Sequence, residues 1–511
     1  MPSDPSSLGR LLDRLEAAKR LFGSGGGRET AQVLNALSRR NFFEPGSLIR
    51  YHEALLFFRA YPPTREVLRL VERELRFFAA RIARFARTGA DLDPFEEPDV
   101  SGIAGTAFTA IFSYDITRWL AAQRGVDIEI DWDACRPELF GPLLARLHPY
   151  FDEDALIEAN IPYLAWFRAA QRGRGSDLRW LIAQIERLPV SPAERAELFA
   201  GAKIAVRWTL DNAAFTRTHA WLGRKRLTFF HNRPLLQRRE VSLAAELDSS
   251  PLQLHRLSAR RGGEMLDFFR LTSATRYREL HGFTYGDPER VIHADLGRGV
   301  EVCVNGVPPD HRLPLRAYHS GMFFKNGVPI GYIECLTLFD RMEVGFNLYY
   351  TFREGETAWL YARLLRLFRQ LTQVTTFAVD PYQIGHHNDE AIDSGAFWFY
   401  RKLGFRPADP QVAKLLAIEE ARLRADPQHR TPARTLRRLA AGWMLYETPG
   451  AEKGAWDRFE ARGFAMALRR SPFPPDVQRA KQAPDETRFI RKLQASTRLR
   501  RLALRLGSKT F

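Results

Sequence analysis

From about residue 7 to residue 222, apolar positions recur every three or four residues, the period of helices with one buried face. The plainest run follows Pro63, where Val67, Val71, Leu75, Phe78, Ile82 and Phe85 share one face and Gly89 closes the pattern. Arg69, Arg73, Arg76, Arg84 and Arg87 fall between those positions and read as the solvated face. Residues 103–123, 154–171 and 178–188 predict further helices, and 126–132 (VDIEIDW) alternates as a short strand. Trp132, Trp166, Trp180, Trp208 and Trp221 read as core, since large aromatics carry much apolar burial. Glycines between 23 and 27 lack the Lys-Ser/Thr of a phosphate loop and read as a flexible connector; the small residues of 101–106 read as close helix packing. No fixed-period repeat marks a solenoid.

The pattern breaks at NRPLLQRRE and LDSSP, a junction over 231–250 that ends a mainly α-helical domain over 1–230. Strands are then predicted at 252–258 and in GVEVCVN, with a helix at 264–280 between them. Residues 316–324 and 329–337 flank Lys325-Asn326-Gly327, and both Asn and Gly tolerate the positive φ of a type I′ hairpin turn. A second bend at Phe339-Asp340-Arg341 leads to a returning strand over 343–352, a long helix over 354–372 and a strand over 375–380.

In the next stretch Asp393 and Ser394 have the short side-chain oxygens of helix N-caps. Ala396, Phe399, Tyr400 and Leu403 share one face, Arg401 and Lys402 suit the negative helix end, and Gly404 supplies a left-handed stop before Phe405. The run from Asp393 to Phe405 resembles the last strand-helix-strand unit of the GNAT superfamily of N-acyltransferases, roughly N-x-x-A-x-x-(F/L)-Y-x-K-x-G-F, with Asp393 where Asn is usual. The resemblance implies an α+β domain over 251–410 with a central mixed, mostly antiparallel sheet. It implies that an acyl-CoA thioester enters between 343–352 and 375–380.

By position Tyr400 matches the family tyrosine that protonates the departing thiolate. An attacking amine has a pKa of about 10.4 when free, so it needs a base. Glu334 is chosen for that role, with Glu343 in reserve; either is otherwise a surface carboxylate. The family's pyrophosphate loop, (Q/R)-x-x-G-x-(G/A), aligns with Arg353-Glu354-Gly355-Glu356-Thr357-Ala358. Arg353, Gly355, Thr357 and Ala358 are the expected coenzyme A contacts, together with Asn388 and Asp393; Asp389 and Glu390 border them. Glu356 stands where a glycine is usual.

A carboxylate about 5 Å from a phosphate charge, at an effective dielectric of about 20, opposes binding by roughly 3 kcal/mol. The other reading makes Glu354 and Glu356 acids of a first helical turn that point to solvent. His386 and His387 read as exposed loop residues, and no metal is expected.

Length and charge widen this picture. A chain of 511 residues predicts two to four domains, and a net charge of +16 suits an anionic cofactor, nucleic acid or an acidic membrane surface. Cys135, Cys303 and Cys335 are far apart and odd in number, which points to a reducing compartment. No apolar stretch has the length of a membrane span, and a cytoplasmic protein is expected.

Residues 411–511 are expected to form a helical, basic extension, with helices at 411–424 and 433–445 and a proline break at SPFPP. Its end interleaves Phe489, Ile490, Leu493, Leu499 and Leu502 with Arg488, Arg491, Lys492, Arg498 and Arg501. Such a tail sits on RNA or an anionic membrane, or docks as a plain helix on its own domain.

The function expected is transfer of an acyl group, acetyl or longer, from an acyl-CoA to an unidentified amine. The alternatives are a carrier-bound donor (aminoacyl-tRNA or acyl carrier protein) and a non-catalytic GNAT-like binding module.

Overall fold

The computed structural model describes residues 5–21, 24–147, 162–173, 175–224, 226–230, 234–313, 315–460, 463–466, 477, 480 and 482–507. Two compact units emerge, Met1–Arg233 with Leu266–Thr284, and Pro234–Met265 with Tyr285–Phe511.

The first unit is mainly helical, as its periodicity requires. The run after Pro63 forms two helices, Arg65–Arg76 and Phe78–Ala86, broken at Phe77. Thr64 starts the first by accepting the Val67 N–H at 3.2 Å. Residues 103–123 are not one helix. Gly102 (φ +91°) and Gly105 (φ +83°) reverse the chain, β1 (Ala107–Ala110) follows, and a helix begins only at Tyr114 after its Ser113 cap. With β2 (Asp127–Ile130) and β3 (Val206–Thr209), β1 forms an antiparallel sheet in the order β1-β3-β2. Trp208 is buried in the core on this sheet, and Trp132 and Trp180 pack against it.

The glycine connector is partly helix, because Ser24–Ser38 is helical and Gly26 and Gly27 lie against Leu21 and Thr64 with no room for a Cβ. Of 154–171 the structure shows the helix Tyr163–Gln171; 154–161 and SPFPP lie outside the described residues.

Among the described residues the second unit is built on a nine-stranded sheet in the order β11-β12-β10-β9-β8-β7-β6-β5-β4. The strands are β4 (Leu254–Arg256), β5 (Val291–Gly297), β6 (Val300–Asn305), β7 (Ala317–Lys325), β8 (Val328–Leu338), β9 (Arg341–Leu348), β10 (Thr376–Val379), β11 (Arg406–Pro407) and β12 (Met444–Glu447). All neighbours are antiparallel except β9 and β10, so the sheet is mixed and mostly antiparallel. A parallel pair needs a crossover, and the helix Thr357–Thr372 provides it. Asn326 (φ +50°) and Gly327 (φ +81°) make the β7–β8 turn with both residues left-handed.

Three elements differ from the sequence pattern. β5 was not marked by it. Residues 433–445 form the helix Ala433–Leu439 and then the first half of β12, which fills the edge of β10 by pairing Met444 with Val379 and Leu445 with Ala378. Both Met444 and Leu445 are buried, so sheet closure overrides helical preference. Asp393 does not cap the tyrosine-bearing helix. It ends a short helix, Asp389–Asp393, and Gly395 (φ +69°) leads into Ala396–Lys402.

The helices Glu486–Gln494 and Thr497–Gly507 turn Phe489, Ile490, Leu493, Leu499 and Ala503 into a core with Ala378, Leu445 and Trp456, leaving Arg488, Arg491, Arg498 and Arg501 exposed. Among the described residues no helix is long and apolar enough to cross a membrane.

Candidate functional site

β9 and β10 begin side by side and then part. Thr376 pairs with Arg341, Phe377 with Met342 and Ala378 with Glu343; there the ladder ends. After Val379 the chain leaves the sheet, because Asp380 accepts the Tyr382 N–H at 2.8 Å and Pro381–Ile384 winds into a 3-10 turn. β9 continues to Leu348. The rung that opens at Gly345 is occupied by a side chain. The Gln383 amide donates to the Val344 carbonyl at 3.1 Å, and its oxygen accepts the Phe346 N–H at 3.4 Å. One residue of a parallel strand makes this same pair of slanted bonds to the residues before and after its partner.

Glu334 of β8 stands opposite Gly345 and accepts a hydrogen bond from the Tyr318 hydroxyl. Phe346, the next residue, points to the other face, where its ring lies 5.1 Å from that of Tyr361. Tyr400 is on that second face. Tyr361, Phe399 and Phe405 surround it at ring separations of 5.5, 5.2 and 5.7 Å, and its exposure is 4%. Burial pushes its hydroxyl well above the ordinary tyrosine pKa, so it keeps its proton. Glu334 and Tyr400 thus come from opposite faces of the sheet.

Glu343 does not suit the reserve base. It accepts from Arg341 at 2.6 Å and from Arg316 at 3.0 Å, so both of its oxygens are engaged by guanidinium groups in a structural ion pair.

Glu356 fits neither sequence reading. It is buried, and its carboxylate accepts from Arg298 Nε at 2.6 Å, Lys325 Nζ at 3.0 Å and the Leu236 N–H at 3.2 Å. Burial alone would raise its pKa, but Lys325 and Arg298 outweigh that and hold it below the usual carboxylate value. Two cations thus meet this one carboxylate under the loop. Thr357 donates its hydroxyl to the Arg353 carbonyl at 3.1 Å, Ala358 is buried, and Gly355 N–H bonds the Phe352 carbonyl at 2.9 Å. Glu354 is exposed, and Arg353 pairs with Glu390.

Asn388 acts as a cap. It accepts from the Ala391 N–H at 3.2 Å and donates to the Tyr382 carbonyl at 3.1 Å. Asp393 is exposed on the short helix. His386 and His387 border a cleft of about 1030 Å³ that Asp380, Tyr382 and Trp443 also line. Trp443 stacks on Arg341, which shares the sheet face of Glu334. Among the described residues no group of three or more His, Cys, Asp or Glu is arranged to hold a metal.

Compared with known protein families, with curated proteins and with solved structures, the chain matches none. Gln383, Tyr318 and Lys325 are the site residues that the sequence pattern did not single out. Their signal lies in strand register, which pairs residues distant along the chain.

Proposed function

We propose that the second unit is an N-acyltransferase that moves an acyl group from an acyl-CoA thioester to an amine. The observation that carries this reading is the parting of β9 from β10 at Gly345, with Glu334 on one face and Tyr400 on the other. The motif from Asp393 to Phe405, with its likeness to the GNAT superfamily, supports it.

In this mechanism Glu334 takes the proton of the amine, positioned for that by the Tyr318 hydroxyl. The freed nitrogen attacks the thioester carbonyl, and a backbone N–H of β9 at the opening stabilises the oxyanion. As the carbon–sulfur bond breaks, the thiolate takes the phenolic proton of Tyr400, and the remaining extra proton on the amide nitrogen passes through water to restore it. Tyr400 enters this step protonated, and burial, by raising its pKa, makes that proton harder to give.

The coenzyme A phosphates rest on Arg353 and on the N–H groups of Thr357 and Ala358 at the N-terminus of Thr357–Thr372, where first-turn N–H groups lack helical partners, with Gly355 giving the close approach. The Lys325 and Arg298 charges beneath that turn remove the objection raised by Glu356. The amine approaches through the cleft beside Asp380 and Tyr382. Three free, buried cysteines suit a reducing, cytoplasmic setting.

Titration calorimetry with acetyl-CoA, a longer acyl-CoA and free coenzyme A tests the reading. Saturable binding in the micromolar range is expected; no binding of any of the three overturns it. A second donor is favoured by one observation, the exposed Arg488, Arg491, Arg498 and Arg501. An anionic carrier, acyl carrier protein or aminoacyl-tRNA, would then deliver the acyl group to the same opening, and acyl transfer from the loaded carrier is its test. Binding of a protein or nucleic acid with no transfer from either donor would indicate a non-catalytic module.

A further inference from the structure

We propose that the Gln383 side chain stands in for the acyl donor, occupying the rung of β9 that a secondary amide of the donor's arm takes, and that it swings out when the donor enters. This rests on the acyl-CoA reading above. Past Gly345, β9 offers the Val344 carbonyl and the Phe346 N–H on the side where β10 has departed. Buried backbone groups of this kind need partners. An amide with one donor and one acceptor, aligned along the strand, satisfies both. The Gln383 amide is such a group, and so is each of the two secondary amides in the pantetheine arm of coenzyme A. The two cannot share the rung.

The local structure allows the exchange. The turn carrying Gln383 is fixed, since its N–H bonds the Asp380 carbonyl at 3.0 Å and the next residue, Ile384, is fully buried. The Gln383 side chain is half-buried and can rotate without moving the turn. Its bond from the Phe346 N–H, at 3.4 Å, is longer than the usual range and makes a weak latch. Opposite it, Gly345 carries no side chain of its own to obstruct an extended arm passing along the strand.

The test compares wild type with Gln383→Ala and Gln383→Asn, whose amide is one methylene too short. Calorimetry uses coenzyme A and 3′-phosphoadenosine 5′-diphosphate, which has the phosphates but no amide. Both variants should bind coenzyme A about tenfold more tightly, the scale of one or two net hydrogen bonds no longer given up, with nucleotide affinity unchanged. Hydrogen exchange supplies a second readout. The Phe346 amide should exchange faster in the free Ala variant than in wild type, and coenzyme A should slow it in both.

If wild type binds coenzyme A but the variants bind it equally or less tightly, the displacement is overturned and the acyl-CoA reading stands. If no form binds coenzyme A, the acyl-CoA reading falls and this inference falls with it. Should the Ala variant fail to fold, the Asn variant carries the same comparison.

Discussion

The Glu356 carboxylate lies 3.0 Å from the Lys325 ammonium, and both side chains are almost wholly withdrawn from solvent. Lys325 ends β7 at its turn, while Glu356 precedes the crossover helix, so the pair ties the hairpin to the loop assigned to phosphate. Arg298 joins it from the β5–β6 turn. The three groups form a unit whose members differ in what their removal exposes.

Glu356→Gln removes the carboxylate charge that faces buried Lys325 and half-buried Arg298 and should cost about 3–5 kcal/mol of stability. Lys325→Met should cost less, because Arg298 still neutralises Glu356. Urea unfolding checks the order, and equal losses would contradict the asymmetry. The folded-state pKa of Glu356 is depressed. Its contribution is therefore present above the unfolded value of 4.5 and is lost as pH falls through the lower folded value, a loss that Glu356→Gln should lack.

Tyr400→Phe removes one hydroxyl from an aromatic cluster and should leave the thermal midpoint within a few degrees of wild type. Acyl transfer should fall about a hundredfold, the lower end of what a general acid contributes. Unchanged turnover with a thioester donor would take Tyr400 out of the reaction.

The two carboxylates are separated by a pair of substitutions. Glu334→Gln should depress turnover about a hundredfold or more with little loss of stability. Glu343→Gln should do the reverse, because it leaves Arg316 and Arg341 without their shared anion. Parallel kinetics and denaturation of both variants decide the assignment; a catalytic loss confined to Glu343→Gln would reverse it.

Acid should weaken each unit well before pH 4. Burial lowers His52 in the first unit and His319 in the second from 6.5 to about 4. Below pH 6.5 the unfolded chain gains protons that the folded chain does not. Stability is therefore full above that value and declines towards pH 4, by roughly 3 kcal/mol for each histidine. His319→Leu should flatten the urea midpoint of the sheet unit between pH 7 and 4.5; an unaltered slope would count against this origin.

Local chemistry was readable where neighbours in sequence are neighbours in space. Asn326-Gly327 demanded a tight turn, and 354–372 a long helix, which runs from Thr357 to Thr372. The setting of Glu356 is not legible locally, because its partners lie 31 and 58 positions away along the chain. β12 was missed because Ala433–Leu439 sets a helical period that Gly442 ends only just before Met444. Tyr400 stands out only by its place in a motif, and its role is the one proposed above. Gln383 was not legible, since a glutamine in a turn is ordinary until strand register sets it against Gly345.

The strand Met444–Glu447 between β10 and β11 sets an order of assembly. During synthesis, β10 emerges with β9 on one side and nothing on the other until residue 447 has cleared the ribosome. Until then its backbone edge is a template for any extended chain nearby. A truncation before Met444 would make that exposure permanent, and its product should go to inclusion bodies even though Glu334, Gln383 and Tyr400 would all be present.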